Sequence, residues 1–195
     1  MPIRNDANQW GAVSLALHWI TVAMVLGLVL VGFLMQELPN AQKVAVYALH
    51  KSFGLTVLAL TVLRLLWRLV AGAPAPVPGT PRWQAWAASA THVALYFVLL
   101  AMPISGWLYN SAAGYPLQWF KLFNLPSLSA RSTEIREFAH DAHETLFLVL
   151  AAIVTVHALA AFKHHYFDRD RTLVRMLPIL KPRTDPSPQD PPPGA

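Results

Sequence analysis

Charged residues are almost absent from four stretches of this chain. Residues 7–36, 83–120 and 145–162 contain no Asp, Glu, Lys or Arg, and residues 44–63 contain a single lysine. A helix of about 20 mostly apolar residues crosses the hydrocarbon core of a bilayer. All four stretches reach that length with their flanks, provided that the fourth begins near Phe138. The pattern therefore predicts four membrane-spanning helices.

These stretches predict an all-α fold, an integral membrane four-helix bundle in one domain over residues 1–180. We predict helices over about residues 12–36, 45–69, 87–111 and 139–166. Ser132 has the side chain of a helix N-cap, so residues 132–136 are expected to open a helix. Residues 181–195 are rich in proline, and we expect this tail to be disordered.

The basic residues divide unequally between the two sides that four spans define. Ten lie on the side that holds both termini: Arg4, Arg64, Arg68, Arg82, Lys163, Arg169, Arg171, Arg175, Lys181 and Arg183. Five lie on the other side: Lys43, Lys51, Lys121, Arg131 and Arg136. Cytoplasmic segments of membrane proteins carry an excess of Lys and Arg. The distribution therefore predicts that both termini are cytoplasmic.

Composition narrows the chemistry that such a bundle performs. The chain is 55% hydrophobic and 13% charged, and its net charge is +5. With four spans, the basic residues are topology signals rather than a nucleic-acid patch. There is no cysteine, which excludes disulfides, thiolate metal sites and covalent c-type haem. Any haem is therefore a non-covalent b type.

Two histidines lie fourteen residues apart on the fourth predicted helix, His143 and His157. At 1.5 Å and 100° per residue, they are about 21 Å apart along the helix and point to nearly the same side. By depth, His18 on the first helix pairs with His157, and His50 on the second pairs with His143. Four histidines at two depths suit two haems, one near each face of the bilayer. Two axial imidazoles per iron favour electron transfer over oxygen binding.

Two further histidines compete with this set. His92 lies at a depth similar to that of His18, where it would replace His18 or contact a propionate, although a structural role is favoured. His140 lies one turn before His143 and is an alternative outer ligand, but the fourteen-residue spacing favours His143. A single intramembrane histidine often only hydrogen-bonds a neighbouring helix. Four histidines that match in depth are harder to explain in this way.

Other polar residues lie near the expected ends of the spans. His164 is seven residues beyond His157, on the same face and about 10 Å further along the helix. It is either an interfacial anchor or a quinone site, because imidazole exchanges protons near neutral pH. Arg64 and Arg68 lie one turn apart. They snorkel to the interface or pair with haem propionates, for which Arg68 is the candidate.

Lys51 directly follows His50 at the expected outer haem. Together with Lys121, Arg131 and Arg136 it is a candidate positive funnel for an anion. The alternative is a solvated loop of mixed charge, because acidic residues lie in the same segment.

The chain resembles the bacterial cytochrome b561 family of small dihaem membrane proteins over about residues 3–180. The order and spacing of the matching fragments are specific, although no single fragment is decisive. The fragments are Ala16-Leu17-His18-Trp19, His50-Lys51-Ser52-Phe53-Gly54, Arg64-Leu65-Leu66-Trp67-Arg68, His92, Pro103-Ile104-Ser105-Gly106-Trp107, His143-Glu144-Thr145-Leu146, His157 and His164-His165-Tyr166-Phe167.

The resemblance implies a bundle in the bacterial inner membrane with two b haems on His18, His50, His143 and His157, and ubiquinone as a redox partner. Some family members are superoxide oxidases, which pass an electron from superoxide outside to ubiquinone. Related cytochromes are subunits that drain electrons from hydrogenase or formate dehydrogenase.

The expected function is therefore a stand-alone dihaem cytochrome that carries electrons between the periplasmic side and the quinone pool of the respiratory chain. Superoxide:ubiquinone oxidoreduction is its best specific reaction. The alternative is an electron-transfer subunit that docks a periplasmic oxidoreductase. No catalytic residue is assigned.

Overall fold

Four long helices dominate the structure. The computed structural model describes residues 2–180. Within them, the elements are α1 (Ala12–Glu37), α2 (Asn40–Ala71), α3 (Arg82–Ala112), β1 (Leu117–Trp119), β2 (Phe123–Leu125), α4 (Thr133–Tyr166) and α5 (Thr172–Met176). Helices α1 to α4 are each long and apolar enough to cross a membrane. The predicted all-α membrane bundle is confirmed, whereas the predicted tail over residues 181–195 lies outside the described residues.

Helices α2 and α3 begin about five residues earlier than predicted, directly after Pro39 and Pro81. Proline favours a helix start because its ring fixes φ and its missing N–H would be unpaired there anyway. The Pro39 carbonyl oxygen accepts backbone hydrogen bonds from the first turn at 2.9 and 3.0 Å. The weakly charged stretch of α2, residues 44–63, therefore begins inside the helix and does not mark the point where that helix begins.

Helix α4 is a single helix from Thr133, six residues before the predicted start. The Ser132 hydroxyl accepts a hydrogen bond from the backbone N–H of Ile135 at 3.2 Å, which confirms the predicted N-cap. Glu134 in the first turn interacts favourably with the helix dipole. Because no proline or glycine follows before Phe138, the capped turn continues directly into the apolar helix.

Consecutive long helices pack side by side, and α3 packs most extensively against α4. A contact between the rings of Phe33 and Phe147, with centroids 5.4 Å apart, joins α1 to α4. We call the end of the bundle that holds β1 and β2 the hairpin end. The opposite end, which holds α5 and the segment before α1, is called the α5 end.

The outer faces of the long helices are apolar. Large side chains such as Leu30, Leu69, Phe97 and Leu159 are exposed, and few residues of the long helices are fully buried. A soluble bundle would bury such side chains, whereas a bilayer solvates them. The exposure pattern therefore agrees with the membrane assignment that hydropathy suggests.

Strands β1 and β2 form an antiparallel hairpin, which was not predicted. Phe120 and Lys121 at its turn both have positive φ, 46° and 62°. The hairpin is attached to α2 by side chains. The Phe120 backbone N–H donates to the Ser52 hydroxyl at 3.0 Å, and the Trp119 indole donates to the Thr56 hydroxyl at 3.0 Å. These bonds hold the hairpin over its end of the bundle.

Helix α5, also not predicted, connects elements at the opposite end. The Trp19 indole donates to the Met176 carbonyl at 2.8 Å, and the Arg175 guanidinium donates to the Ala75 carbonyl at 2.7 Å. The Asn5 side-chain amide donates to the Gly72 carbonyl at 2.8 Å. The α5 end is therefore covered by three segments that are distant in sequence.

Candidate functional site

A cavity of about 860 Å³ lies among the long helices at the hairpin end. Its wall includes Gly32 from α1, Gly54 from α2 and Gly106 from α3. Glycines allow close approach of a flat ligand because they present no side chain. Binding pockets for small molecules and cofactors typically have volumes of about 300–1,000 Å³. The cavity is therefore large enough for a cofactor.

His50 and His143 both line this cavity, from α2 and α4. Their ring centroids are 6.4 Å apart, and their planes meet at 71°. The buried Nδ1 atom of His50 has no hydrogen-bond partner among the described residues. The structure thus brings together the two histidines that were paired by depth.

The His143 ring is fixed by α3. Its Nδ1 lies 3.0 Å from the Met102 carbonyl oxygen and 3.0 Å from the Ser105 hydroxyl. Because the carbonyl only accepts, we assign the ring hydrogen to Nδ1, which leaves Nε2 free for a ligand. Sequence reasoning missed both partners, although Ser105 stands within the Pro103 to Trp107 fragment.

This geometry fits a haem with two axial imidazoles. Since metal–imidazole nitrogen bonds are about 2 Å long, two rings on opposite sides of one metal have centroids about 6 Å apart. The 6.4 Å separation of His50 and His143 agrees with that distance. The hydrogen bond to His143 Nδ1 is also typical of metal-bound histidine. Ligation by these residues stays a prediction.

The competing His140 has a different environment. Its side chain is half exposed, and its ring nitrogens lie 3.7 Å from an Asp141 oxygen and 3.6 Å from a Glu144 oxygen. Its ring is 5.5 Å from that of Tyr109. His140 lies on the cavity wall, but its nitrogens face acidic groups rather than His50.

Among the residues proposed for a positive funnel, Lys51 lies in the cavity wall, and its ammonium donates to the Asn110 side-chain oxygen at 2.9 Å. Lys43, which was not part of the predicted funnel, also lines the cavity. Arg136 lies 3.9 Å from a Glu137 oxygen. The structure therefore brings Lys51 to the paired histidines, while Arg136 has an acidic neighbour.

The α5 end holds three histidines near one another. The ring centroids of His92 and His157 are 5.5 Å apart. His18 lies near both of them, and its own ring contacts that of Trp19, with centroids 5.1 Å apart. The buried Nδ1 of His18 has no hydrogen-bond partner among residues 2–180. Both candidates for the partner of His157 are therefore close by.

The two arginines of α2 lie on aromatic faces at the same end. The Arg64 guanidinium is 5.6 Å from the centre of the Tyr96 ring, and that of Arg68 is 5.9 Å from the Trp10 ring. Both line a small cavity of about 20 Å³. Cation–π contacts lower the cost of placing these charges near a membrane. Pairing of Arg68 with a propionate remains a prediction.

His164 lies at the end of α4, with 17% of its side chain exposed. Its Nδ1 is 2.7 Å from an Asp170 carboxylate oxygen. Asp170 follows the helix and was not singled out from the sequence, because the turn that brings it back to the helix was not predicted.

Comparisons with known proteins agree with the resemblance. A family model described as prokaryotic cytochrome b561 matches residues 9–178. The chain is 34% identical over 179 residues to cytochrome b561 homolog 2 of Escherichia coli (strain K12), covering 91% of this chain and 95% of that protein. It is 32% identical to cytochrome b561 homolog 1 of the same organism, covering 89% and 99%. It is 27% identical to a probable superoxide oxidase CybB of Yersinia pestis, covering 88% and 97%.

Proposed function

Because the chain belongs to the prokaryotic cytochrome b561 family and is a membrane haem protein, we propose that it carries electrons between a periplasmic donor and the quinone pool of the bacterial inner membrane. The observation that carries this proposal is the pairing of His50 and His143 across a cavity at one end of a bundle. Helix α4 continues from His143 to His157 at the other end. Bound haem supplies one-electron redox chemistry, and the chain supplies depth, ligands and local charge.

The proposed cofactors are two non-covalent b haems. His50 and His143 would hold the haem at the hairpin end, and His18 and His157 would hold the haem at the α5 end. Because the Nδ1 atom of His143 faces the Met102 carbonyl, the ligand atom of His143 is Nε2. His92 is the competing partner of His157, since its ring lies beside it.

The α5 end faces the cytoplasm in this proposal, and the hairpin end faces the periplasm. The support is the ratio of ten basic residues to five. Electrons from a periplasmic donor therefore enter at the hairpin end and leave at the α5 end.

Residues 1–180 form one membrane domain in this proposal. Arg68, near the α5 end, pairs with a haem propionate.

Superoxide is the proposed electron donor. One relative carries the name probable superoxide oxidase, and Lys51 places a cation in the wall of the hairpin-end cavity. A positive group beside the entry site raises the local concentration of an anion. The balanced reaction converts two superoxide anions, one ubiquinone and two protons into two oxygen molecules and one ubiquinol.

Ubiquinone is proposed to bind at the α5 end, next to His164. This residue lies seven positions beyond His157 on one continuous helix, and hence on the same face about 10 Å away. Its imidazole is suited to supply a proton to the quinone oxygen as electrons arrive.

The test is ubiquinol formation by the purified protein during steady superoxide generation. We expect ubiquinol to form faster than in protein-free controls and expect added superoxide dismutase to suppress it. Ubiquinol formation no faster than in the protein-free controls would contradict the proposed reaction. If superoxide does not drive ubiquinol formation and a periplasmic oxidoreductase with its own redox centres co-purifies from native membranes, the protein is better described as the electron-transfer subunit of that oxidoreductase.

A further inference from the structure

The segment after α4 folds back onto His164. Arg169 has a positive φ of 52°, which turns the chain between Asp168 and Asp170. The Asp170 backbone N–H then donates to the His164 carbonyl at 3.0 Å, and an Asp170 carboxylate oxygen lies 2.7 Å from His164 Nδ1. Main chain and side chain of Asp170 therefore both contact the same histidine.

The carboxylate of Asp170 is itself held in place. Its second oxygen accepts a hydrogen bond from the Thr172 backbone N–H at 2.7 Å, at the start of α5. Only 18% of the Asp170 side chain is exposed. A carboxylate that is fixed on one oxygen presents the other in a constant direction, so the orientation of the His164 ring is determined by the fold.

Asp168, the neighbouring carboxylate, forms its shortest hydrogen bonds with Lys163. Both of its oxygens accept from the Lys163 ammonium, at 2.8 and 2.6 Å. One oxygen also lies 3.1 Å from His164 Nδ1. Asp170 makes the shorter contact with Nδ1, and Asp168 is paired with the Lys163 ammonium. The two aspartates thus form a natural pair of test and control positions.

The contact with Asp170 decides which nitrogen of His164 is available. A carboxylate only accepts hydrogen bonds, so the ring hydrogen stays on Nδ1 and Nε2 is left to interact with a ligand. A carboxylate in this position also holds the ring in a fixed orientation, as in histidine–aspartate pairs of hydrolases. His164 is thereby prepared to act through Nε2 alone.

We propose that Asp170 is a positioning residue for proton transfer to quinone, acting through His164; this inference rests on the proposed quinone site. In the step, the hydrogen on Nε2 of the protonated ring passes to a quinone oxygen as the quinone gains an electron from the donor. The ring is left neutral with its hydrogen on Nδ1, and water on the cytoplasmic side restores the proton. Two such steps convert quinone, two electrons and two protons into quinol.

The experiment compares Asp170→Asn with Asp168→Asn in the purified haem-loaded protein. The side-chain amide of asparagine at position 170 donates an N–H to Nδ1 of His164. It therefore favours the tautomer with its hydrogen on Nε2, instead of the one with its hydrogen on Nδ1. We expect kcat for quinone reduction to fall about tenfold or more, as for loss of a general acid, with little change in KM. Asp168→Asn is expected to stay within about twofold of the parent, because its charge is already paired with Lys163. Asp170→Glu keeps a carboxylate and is expected to recover part of the loss.

Two further readouts separate positioning from structural damage. Oxidation of the reduced protein by ferricyanide needs no proton, so its rate and the haem spectrum are expected to be unchanged in Asp170→Asn. In a His164→Ala background, Asp170→Asn is expected to cause no further loss, because the two residues act as one unit. Equal slowing with ferricyanide and quinone would overturn the inference.

The outcomes distinguish this inference from the function on which it rests. If His164→Ala leaves quinone reduction and quinone affinity unchanged, the proposed quinone site is wrong. If His164→Ala slows quinone reduction and Asp170→Asn does not, the quinone site stands and the role of Asp170 is overturned.

Discussion

The hairpin end and the α5 end differ in how closely the fold defines a pair of histidines. At the hairpin end, His50 and His143 face each other at 6.4 Å across a cavity. At the α5 end, His92 and His157 are 5.5 Å apart and His18 lies near both. One end thus presents a single half-buried pair, whereas the other presents three histidines for one proposed iron.

The cause of the difference lies in the neighbouring side chains. Gly32, Gly54 and Gly106 leave open space between the helices at the hairpin end. At the α5 end, Arg64 lies over the ring of Tyr96 and fills part of the space between α2 and α3. Small residues therefore leave a cavity beside His50 and His143, whereas larger side chains lie beside the histidines of the α5 end.

The largest expected effect is loss of haem from the hairpin end. His50→Ala and His143→Ala are each expected to remove one of two haems per chain, because a single axial imidazole remains. His140→Ala is the matched control, since its ring is half exposed beside Glu144. Haem is counted from the reduced-minus-oxidised spectrum of the purified protein. Loss of a haem in His140→Ala, with retention in His143→Ala, would reverse the assignment.

The α5 end provides the second prediction. His18→Ala and His157→Ala are each expected to remove the haem at this end, whereas His92→Ala is expected to retain both haems. If His92→Ala loses a haem and His18→Ala does not, then His92 is the ligand, and the pairing of His18 with His157 by depth is wrong. The measurement is again haem per chain from the reduced-minus-oxidised spectrum.

A smaller effect is expected from closing the hairpin-end cavity without removing a ligand. A Cβ atom at Gly106 would lie 3.2 Å from the His143 ring, so Gly106→Val is expected to reduce haem occupancy at this end. Gly27→Val is the control, because a Cβ there meets no atom within 4 Å. Normal haem content in Gly106→Val would show that the cavity is not the haem site.

The smallest predicted effect concerns the hydrogen bonds to His143. Ser105→Ala removes one neighbour of Nδ1 and leaves the Met102 carbonyl. A weaker hydrogen bond makes the imidazole a poorer donor to oxidised iron, so the potential of the hairpin-end haem is expected to rise. One hydrogen bond is worth about 1 kcal/mol, which limits the shift to about 40 mV. A redox titration that shows a fall in potential would contradict this role.

The four spans could be predicted from the sequence because their signal is the absence of charge over about 20 residues. The ends of the helices could not: α2 begins at Asn40, before its weakly charged stretch, and α3 begins at Arg82, five residues before the predicted start. Strands β1 and β2 have three residues each, too few for an alternating pattern to stand out.

The depth of each histidine follows from its position along a helix, so His50 and His143 could be paired from the sequence. The rotation and packing of the helices do not follow from position, and they decide whether His18 or His92 is nearer to His157. The contact between Asp170 and His164 was also not predictable, because it depends on the positive φ of Arg169.

The most direct test of the central claim is the haem content of the purified protein, measured with the reduced-minus-oxidised spectrum and divided by the chain concentration. We expect two low-spin b haems per chain, one for each end of the bundle. A value of one would mean that one of the two histidine pairs does not bind haem. No haem, after expression with adequate haem supply, would contradict the proposed electron path entirely.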